Sequence, residues 1–268
     1  MPTFDALPHA QQLPILLELA QIATTHYNLP SPLCVELINL SENATYKIEA
    51  IDGRRWALRI QRDGYHSRAA IGSELSWLID LRETKVVTTP KPIPGKDGDI
   101  IQLAFHNSMP NPRHVVLFEW EQGVEPGIHN NLVEPFKALG EVTARMHAHA
   151  RHWQRPHGFT RFTWDFETSL GSAAPHWGQW RAGIGVDASI EKLFGRTVEK
   201  IGQRLNAYGK GPERFGLVHG DLRLANLLMD GSEVKVIDFD DSGFSWFMYY
   251  AATPVSFYEH DPQVPELV

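Results

Sequence analysis

Residues 218 to 241 read Val-His-Gly-Asp-Leu-Arg-Leu-Ala-Asn-Leu-Leu-Met-Asp-Gly-Ser-Glu-Val-Lys-Val-Ile-Asp-Phe-Asp-Asp. Within them His219, Asp221 and Asn226 keep an H-x-D-x-x-x-x-N spacing, and Asp238 opens an Asp-Phe-Asp triplet that continues through Asp240. Leu227–Met229 and Val234–Ile237 read as two short strands joined at Asp230-Gly231, a hairpin that brings Asp238 back beside Asn226. An amide and a carboxylate oxygen then converge. These are hard donors, suited to Mg²⁺, which takes one or two protein oxygens and completes its shell with water and phosphate oxygens. Asp221, at the end of the preceding strand, is left to face an incoming hydroxyl, accept its proton and align it with a γ-phosphate. The plainer alternative is that Asp221 caps a turn and Asp238 ends a strand at the surface.

The elements that must position these groups follow from periodicity. Leu13, Leu16, Leu17, Ala20 and Ala23 share one helical face, with Pro14 early in the helix and Pro30 beyond its end. From Leu33 to Phe118 the pattern is of strands: Leu33–Leu40, Thr45–Ile51, Arg54–Gln61, Ile100–Phe105 and His114–Phe118. Asp52-Gly53 is a hairpin signal between the second and third. A helix over about His66 to Arg82 interrupts them, with Ile71, Leu75 and Leu78 as its stripe. Glu74 falls on that stripe, where a carboxylate needs a cation, and alternation places Arg59 on the opposite side of its strand from Leu58 and Ile60. Further on, Leu132, Phe136, Leu139, Thr143 and Met146 mark one face of a helix, and Ile190, Leu193, Phe194, Val198, Ile201 and Leu205 one face of another. The simplest division is a β-rich N-terminal lobe (1–118), a hinge (119–123) and a mainly helical C-terminal lobe (124–268).

Composition excludes several classes. The 268 residues carry 25 Lys plus Arg against 32 Asp plus Glu, a net charge of −7, with no basic run, which argues against a nucleic-acid partner. Ile15 to Ala20 is too short to cross a bilayer and lacks a basic leader, so neither a membrane span nor a signal peptide is expected and the chain is expected in the cytoplasm. The single Cys34 has no internal disulfide partner, and its neighbours Leu33 and Val35 predict a buried thiol. His147, His149, His152 and His157 lack metal-ligand spacing and read as a solvated helix end. Ser189 and Lys192 have S-x-x-K spacing but lie in an amphipathic helix. Trp153, Trp164, Trp177, Trp180 and Trp246 read as core rather than as the wall of a site.

His219-Gly220-Asp221-Leu222-Arg223-Leu224-Ala225-Asn226 together with Ile237-Asp238-Phe239-Asp240-Asp241 resembles the H-G-D-x-x-x-x-N and I-D-F-D-D motifs of the aminoglycoside phosphotransferase and choline kinase-like superfamily. The nearest likeness is to the bacterial branch that contains homoserine kinase and the stress-response Ser/Thr kinase. Leu40-Ser41-Glu42-Asn43-Ala44-Thr45-Tyr46 resembles that family's nucleotide loop, and Leu139–Ala150 its L-x-x-x-x-A-x-x-H-x-H helix. The resemblance implies an α+β, bilobal protein-kinase-like fold and ATP- and Mg²⁺-dependent phosphorylation of a small-molecule hydroxyl acceptor. Asp221 would be the catalytic base, Asn226 and Asp238 the metal ligands, His219 a brace for the loop and Asp240 a second metal contact. Arg59, where the family more commonly has Lys, would bind phosphates and be held by Glu74. Ser41 and Asn43 would donate to phosphate oxygens, and the backbone after Phe118, at Glu119 and Trp120, would read adenine.

Glu121, Glu125, Asp240 and Asp241, close to these motifs, suggest an acidic cleft suited to an amino alcohol. A protein Ser/Thr acceptor and a non-catalytic nucleotide-binding protein are the alternatives. Two departures from the family pattern stand out. Met248-Tyr249-Tyr250-Ala251-Ala252 occupies the place of a D-x-A element, so an aspartate buttress is missing. Only 27 residues follow Asp241, so either the chain is shortened or another subunit, as in a homo-oligomer, covers a surface rich in Trp246, Phe247, Tyr249 and Tyr250.

Overall fold

The computed structural model describes residues 4–126, 131–171 and 175–267. The first elements are α1 (His9–Thr24), β1 (Leu33–Leu40), β2 (Ala44–Ala50), β3 (Arg55–Ile60), α2 (Arg68–Glu83), β4 (Pro92–Ile93), β5 (Gln102–Ala104) and β6 (Arg113–Glu119). There follow α3 (Val133–His152), β7 (Phe162–Thr163), α4 (Phe166–Ser169), α5 (Ala188–Tyr208) and β8 (Phe215–Val218). The hairpin β9 (Leu227–Asp230) and β10 (Glu233–Val236) precedes β11 (Gly243–Trp246), α6 (Tyr249–Val255) and α7 (Val264–Leu267). The architecture is α+β. One compact unit takes Met1–Val124, Arg155–Thr160 and Leu228–Ile237; the other takes Glu125–Gln154, Arg161–Leu227 and Asp238–Val268.

In the first unit six antiparallel strands pair in the order β1-β2-β3-β6-β4, with β5 also on β6. Gly53, at φ 82°, makes the tight β2–β3 turn, a backbone conformation that glycine adopts without strain. The pleat sorts the side chains by face. Ala44, Tyr46, Ile48, Leu58, Ile60, Val115 and Leu117 join Leu16, Leu19, Ala20 and Ala23 of α1 in one core. Arg59, between Leu58 and Ile60, must therefore point to the other face. There α2, begun by Ser67 accepting from the Ala70 amide at 3.2 Å, buries Ile71, Glu74, Leu75 and Leu78.

Cys34 is exposed, contrary to the expectation of a buried thiol. It lies on the edge strand β1, which pairs with β2 alone, and alternation turns it away from Leu33 and Val35, which pack against the α1 core.

The second unit is built on α3 and a three-stranded sheet ordered β7-β11-β8. α5 occupies the expected span, capped by Asp187 accepting from the Ser189 and Ile190 amides, but none of its residues is buried. Leu193 and Phe194 stand 51% and 44% exposed, and Gly202 of the same helix lies against the Phe166 ring of α4.

The C-terminal aromatic segment turns inward rather than outward. Trp246, Phe247 and Tyr250 are buried, and only Tyr249 of the four is exposed. Trp246 donates from Nε1 to the Gly209 carbonyl at 2.8 Å, while Phe247 and Tyr250 pack on His147 with ring centroids 4.4 and 4.6 Å away. His147 is thus half-buried rather than freely solvated, and burial, with Arg151 adding positive charge, pushes its imidazole down to about 4. Being neutral in the fold but protonated in the unfolded chain below about pH 6.5, it makes stability fall as pH drops from about 6.5 toward 4. Thermal melts of His147→Leu across that window are expected to show a shallower acid limb than wild type.

Candidate active site

β8 delivers the chain to His219, whose backbone N–H donates to the Tyr250 hydroxyl at 2.8 Å and whose ring packs 4.5 Å from that of Phe239. A phenol on α6 therefore braces the loop where the sequence lacks the expected aspartate. Burial holds that phenol well above its ordinary pKa, so it stays protonated. The two motifs touch directly: Gly220 sits at φ 88° with its Cα against the Asp241 carbonyl, and a Cβ there would collide with it. Both the backbone angle and the contact demand glycine. Gly220→Ala is expected to shift the loop and cut turnover about a hundredfold with the far-UV circular dichroism unchanged, a comparison of steady-state rates and spectra.

Leu222, Leu224 and Leu227 are buried and anchor the loop, leaving Asp221 and Arg223 half-buried beside the solvent. Asn226 Nδ2 donates to the Asp221 carbonyl at 2.7 Å and to its Oδ2 at 2.9 Å, and Arg223 Nε donates to the same Oδ2 at 2.9 Å. The carboxylate is thus fixed through one oxygen. With Nδ2 committed to Asp221, the Oδ1 of Asn226 is the amide atom that keeps its acceptor capacity.

The Asp-Phe-Asp-Asp segment is held by its backbone. Arg161 donates to the carbonyls of Asp240 and Ser242, and Trp164 Nε1 to that of Asp241 at 2.8 Å. Asp240 is buried, whereas Asp238 is exposed and adopts a left-handed φ of 64°. Among the described residues no three His, Cys, Asp or Glu side chains gather into a metal cluster. An amide and a carboxylate oxygen with phosphate and water completing the shell fit a hard divalent cation better than a preformed cage.

Asp221 opens into a cavity of about 400 Å³ whose walls include Trp164, Trp177, Tyr249 and Phe257, with Asp241 as the second carboxylate. Trp164 and Trp177 stack with planes 7° apart and centroids 6.1 Å apart, Trp164 buried and Trp177 59% exposed. Arg223, while holding Asp221, lies 5.0 Å from the Phe257 ring centre. Burial, then the negative charges of Asp241 and Asp221, keep the Tyr249 phenol above its ordinary pKa. The sequence reading set the tryptophans aside as core and passed over Arg223 and Phe257. The density of tryptophan around residues 153 to 180 was the available signal.

In the other unit Arg59 Nη2 meets Glu74 Oε1 at 2.6 Å, both side chains buried, with the Phe118 ring 5.4 Å from the guanidinium carbon. With its amide oxygen turned to the guanidinium, Gln61 accepts from Arg59 Nε at 2.9 Å and Nη2 at 3.1 Å and donates to Asn43 Oδ1 at 3.0 Å. Asn43 is buried, Oδ1 also taking the Arg62 amide at 3.0 Å, and Ser41 is exposed, its amide donating to the Asn43 carbonyl. The Glu119 N–H donates to the Lys91 carbonyl at 2.8 Å; Trp120 follows, half-buried. Glu121 does not contribute to an acidic cleft, since Arg82 at 2.7 Å and Lys235 at 3.4 Å neutralise it.

The model of the phosphotransferase enzyme family matches residues 35–265. A solved structure of a microcompartment-associated aminopropanol kinase is 44% identical, covers 93% of this chain and 77% of its own, and superposes with a TM-score of 0.84. The amicoumacin kinase of Bacillus subtilis (strain 168) is 25% identical over 213 residues, 78% of this chain. This chain spans 58% of that relative's length and 62% of that of a second curated relative, from Deinococcus radiodurans. A thermostable mutant of an aminoglycoside phosphotransferase, 18% identical, shares the protein-kinase-like fold with a TM-score of 0.61 over 92% of this chain and 85% of its own. No helix among the described residues is long and apolar enough to cross a membrane.

Proposed function

This chain belongs to the phosphotransferase enzyme family, and from that premise we propose that it transfers the γ-phosphate of ATP to the hydroxyl of a small amino alcohol. The observation that carries this reading is the opening of the Asp221 carboxylate into an aromatic-walled cavity that also holds Asp241. Two carboxylates and tryptophan faces favour an ammonium group, by charge and by cation–π attraction. The 44% identity to an aminopropanol kinase points the same way.

In this reading Asp221 accepts the hydroxyl proton, and Arg223 and Asn226 fix the carboxylate's direction. Asn226 Oδ1 and the Asp238 carboxylate hold Mg²⁺, with Asp240 behind them. The metal, when bound, neutralises charge on the phosphates. Arg59, placed by Glu74 and Gln61, binds phosphate, Ser41 and Asn43 shape the nucleotide loop, and the backbone beyond Phe118, at Glu119 and Trp120, reads adenine. These assignments follow the hinge at 119–123 and the lobes on either side of it.

The test is an acceptor screen with γ-labelled ATP over aminopropanol, ethanolamine, choline, homoserine, sugars and generic protein substrates. Labelled amino-alcohol phosphate is expected; label confined to protein, or no product above an Asp221→Asn control, would refute the reading. Trp177→Ala is expected to raise KM for the amino alcohol about tenfold while leaving KM for ATP unchanged, read from initial rates with each substrate varied.

A further inference from the structure

The face of the first unit's sheet that carries α1 holds a second cavity, of about 350 Å³. Ala44 and Ile60, which line it, belong to the α1 core, so it lies across the sheet from the Arg59–Glu74 pair. Its chemistry is mixed. Phe4, Leu16, Leu40 and Ile60 give it an apolar floor, and Arg62, Arg113 and His9 bring positive or protonatable groups to one space. Arg113 is only 4% exposed. Its Nη1 stands 3.8 Å from the Asp63 Oδ2, and its guanidinium carbon lies 5.4 Å from the centre of the Phe4 ring. Arg62 is exposed, and Glu42 on the loop side is half-buried and opposes a heavily charged guest.

We propose that this cavity is a second binding site, for a small carboxylate with an apolar body. Guanidinium groups pair with a single carboxylate by charge-assisted, geometrically matched hydrogen bonds. The apolar floor takes the rest of the molecule, and Glu42 disfavours a polyanion such as a nucleotide. The volume suits a metabolite of modest size.

Occupancy would be felt across the sheet. Gln61 and Arg62 both line the cavity. Gln61 also bonds Arg59 and Asn43, and the Arg62 amide bonds the same Asn43 oxygen. A guest that draws on these two residues therefore acts on the groups read above as phosphate-binding. This coupling rests on the nucleotide reading, whereas the binding itself does not.

Calorimetric titration of the full chain with benzoate, and with benzamide as its uncharged counterpart, tests the site, each run with and without saturating magnesium AMP-PNP. One-to-one benzoate binding that persists with AMP-PNP present, and little binding of benzamide, is expected. Arg62→Ala, an exposed change, is expected to weaken benzoate about fivefold without altering the melting temperature of the unliganded protein. Absent benzoate binding, equal binding of benzamide, displacement by AMP-PNP, or an Arg62→Ala affinity equal to wild type would each overturn the site. If benzoate binds as expected but leaves the AMP-PNP affinity unchanged, the coupling is overturned and the site stands. Failure of AMP-PNP itself to bind would count against the nucleotide reading alone.

Discussion

Replacing Asp221 with Asn is expected to lower kcat about a thousandfold while changing the affinity for ATP by no more than about twofold. The side chain keeps its shape, so Asn226 and Arg223 still surround it, but an amide cannot take the acceptor's proton. Arg223 also loses a charge partner. Because that pair is partly exposed, its loss weighs little on stability. The comparison is between single-turnover rates at saturating acceptor and an AMP-PNP titration. A variant that keeps even a tenth of wild-type turnover would remove Asp221 from the chemistry. Loss of nucleotide binding together with turnover would instead make it part of the phosphate site.

The second large effect belongs to Glu74. Its side chain is fully buried, and its Oε2 lacks a hydrogen-bond partner among the described residues, so its charge is balanced chiefly by Arg59. Glu74→Ala removes one member of a buried ion pair, which typically costs about 3–5 kcal/mol. For a chain of this size that corresponds to a fall of roughly 10 °C in melting temperature. The affinity for AMP-PNP should drop as Arg59 loses its orientation. The double replacement Arg59→Met with Glu74→Leu separates the two roles. It is expected to restore much of the melting temperature, since an apolar pair removes the desolvation cost, but not the affinity. An unchanged melting temperature in Glu74→Ala would mean that the pair contributes nothing to the fold.

This pair was legible because both constraints are local. Helical spacing put Glu74 on an apolar stripe, and strand alternation put Arg59 opposite Leu58 and Ile60. The strand over Leu33–Leu40 coincides with β1, and the Asp52-Gly53 turn joins β2 to β3. Periodicity identifies which side of an element is apolar, not whether anything covers it. The α5 stripe is apolar yet open, and Cys34 read as buried although it faces outward from an edge strand.

The cavity beside Asp221 was illegible for another reason. Trp164, Trp177 and the segment from Tyr249 to Phe257 come from separate stretches of the chain, and only the last, with Tyr249, Ala252, Thr253, Ser256 and Phe257 at helical spacing, carries a pattern. Tyr250 likewise acts on His219 from 31 residues away. Its neighbour β11 and the two-residue β7 are too short to carry a pattern. The family resemblance marked the place where a support was expected, but only the coordinates show that a phenol supplies it.

Asp238 holds a left-handed backbone that side-chain-bearing residues adopt at some cost, aspartate less than most. Glycine there would relax the chain while deleting the carboxylate that the proposed function gives to the metal. Selection for heat resistance and selection for turnover would therefore pull this one position in opposite directions, and a library sorted only by survival on heating would enrich for inactive protein.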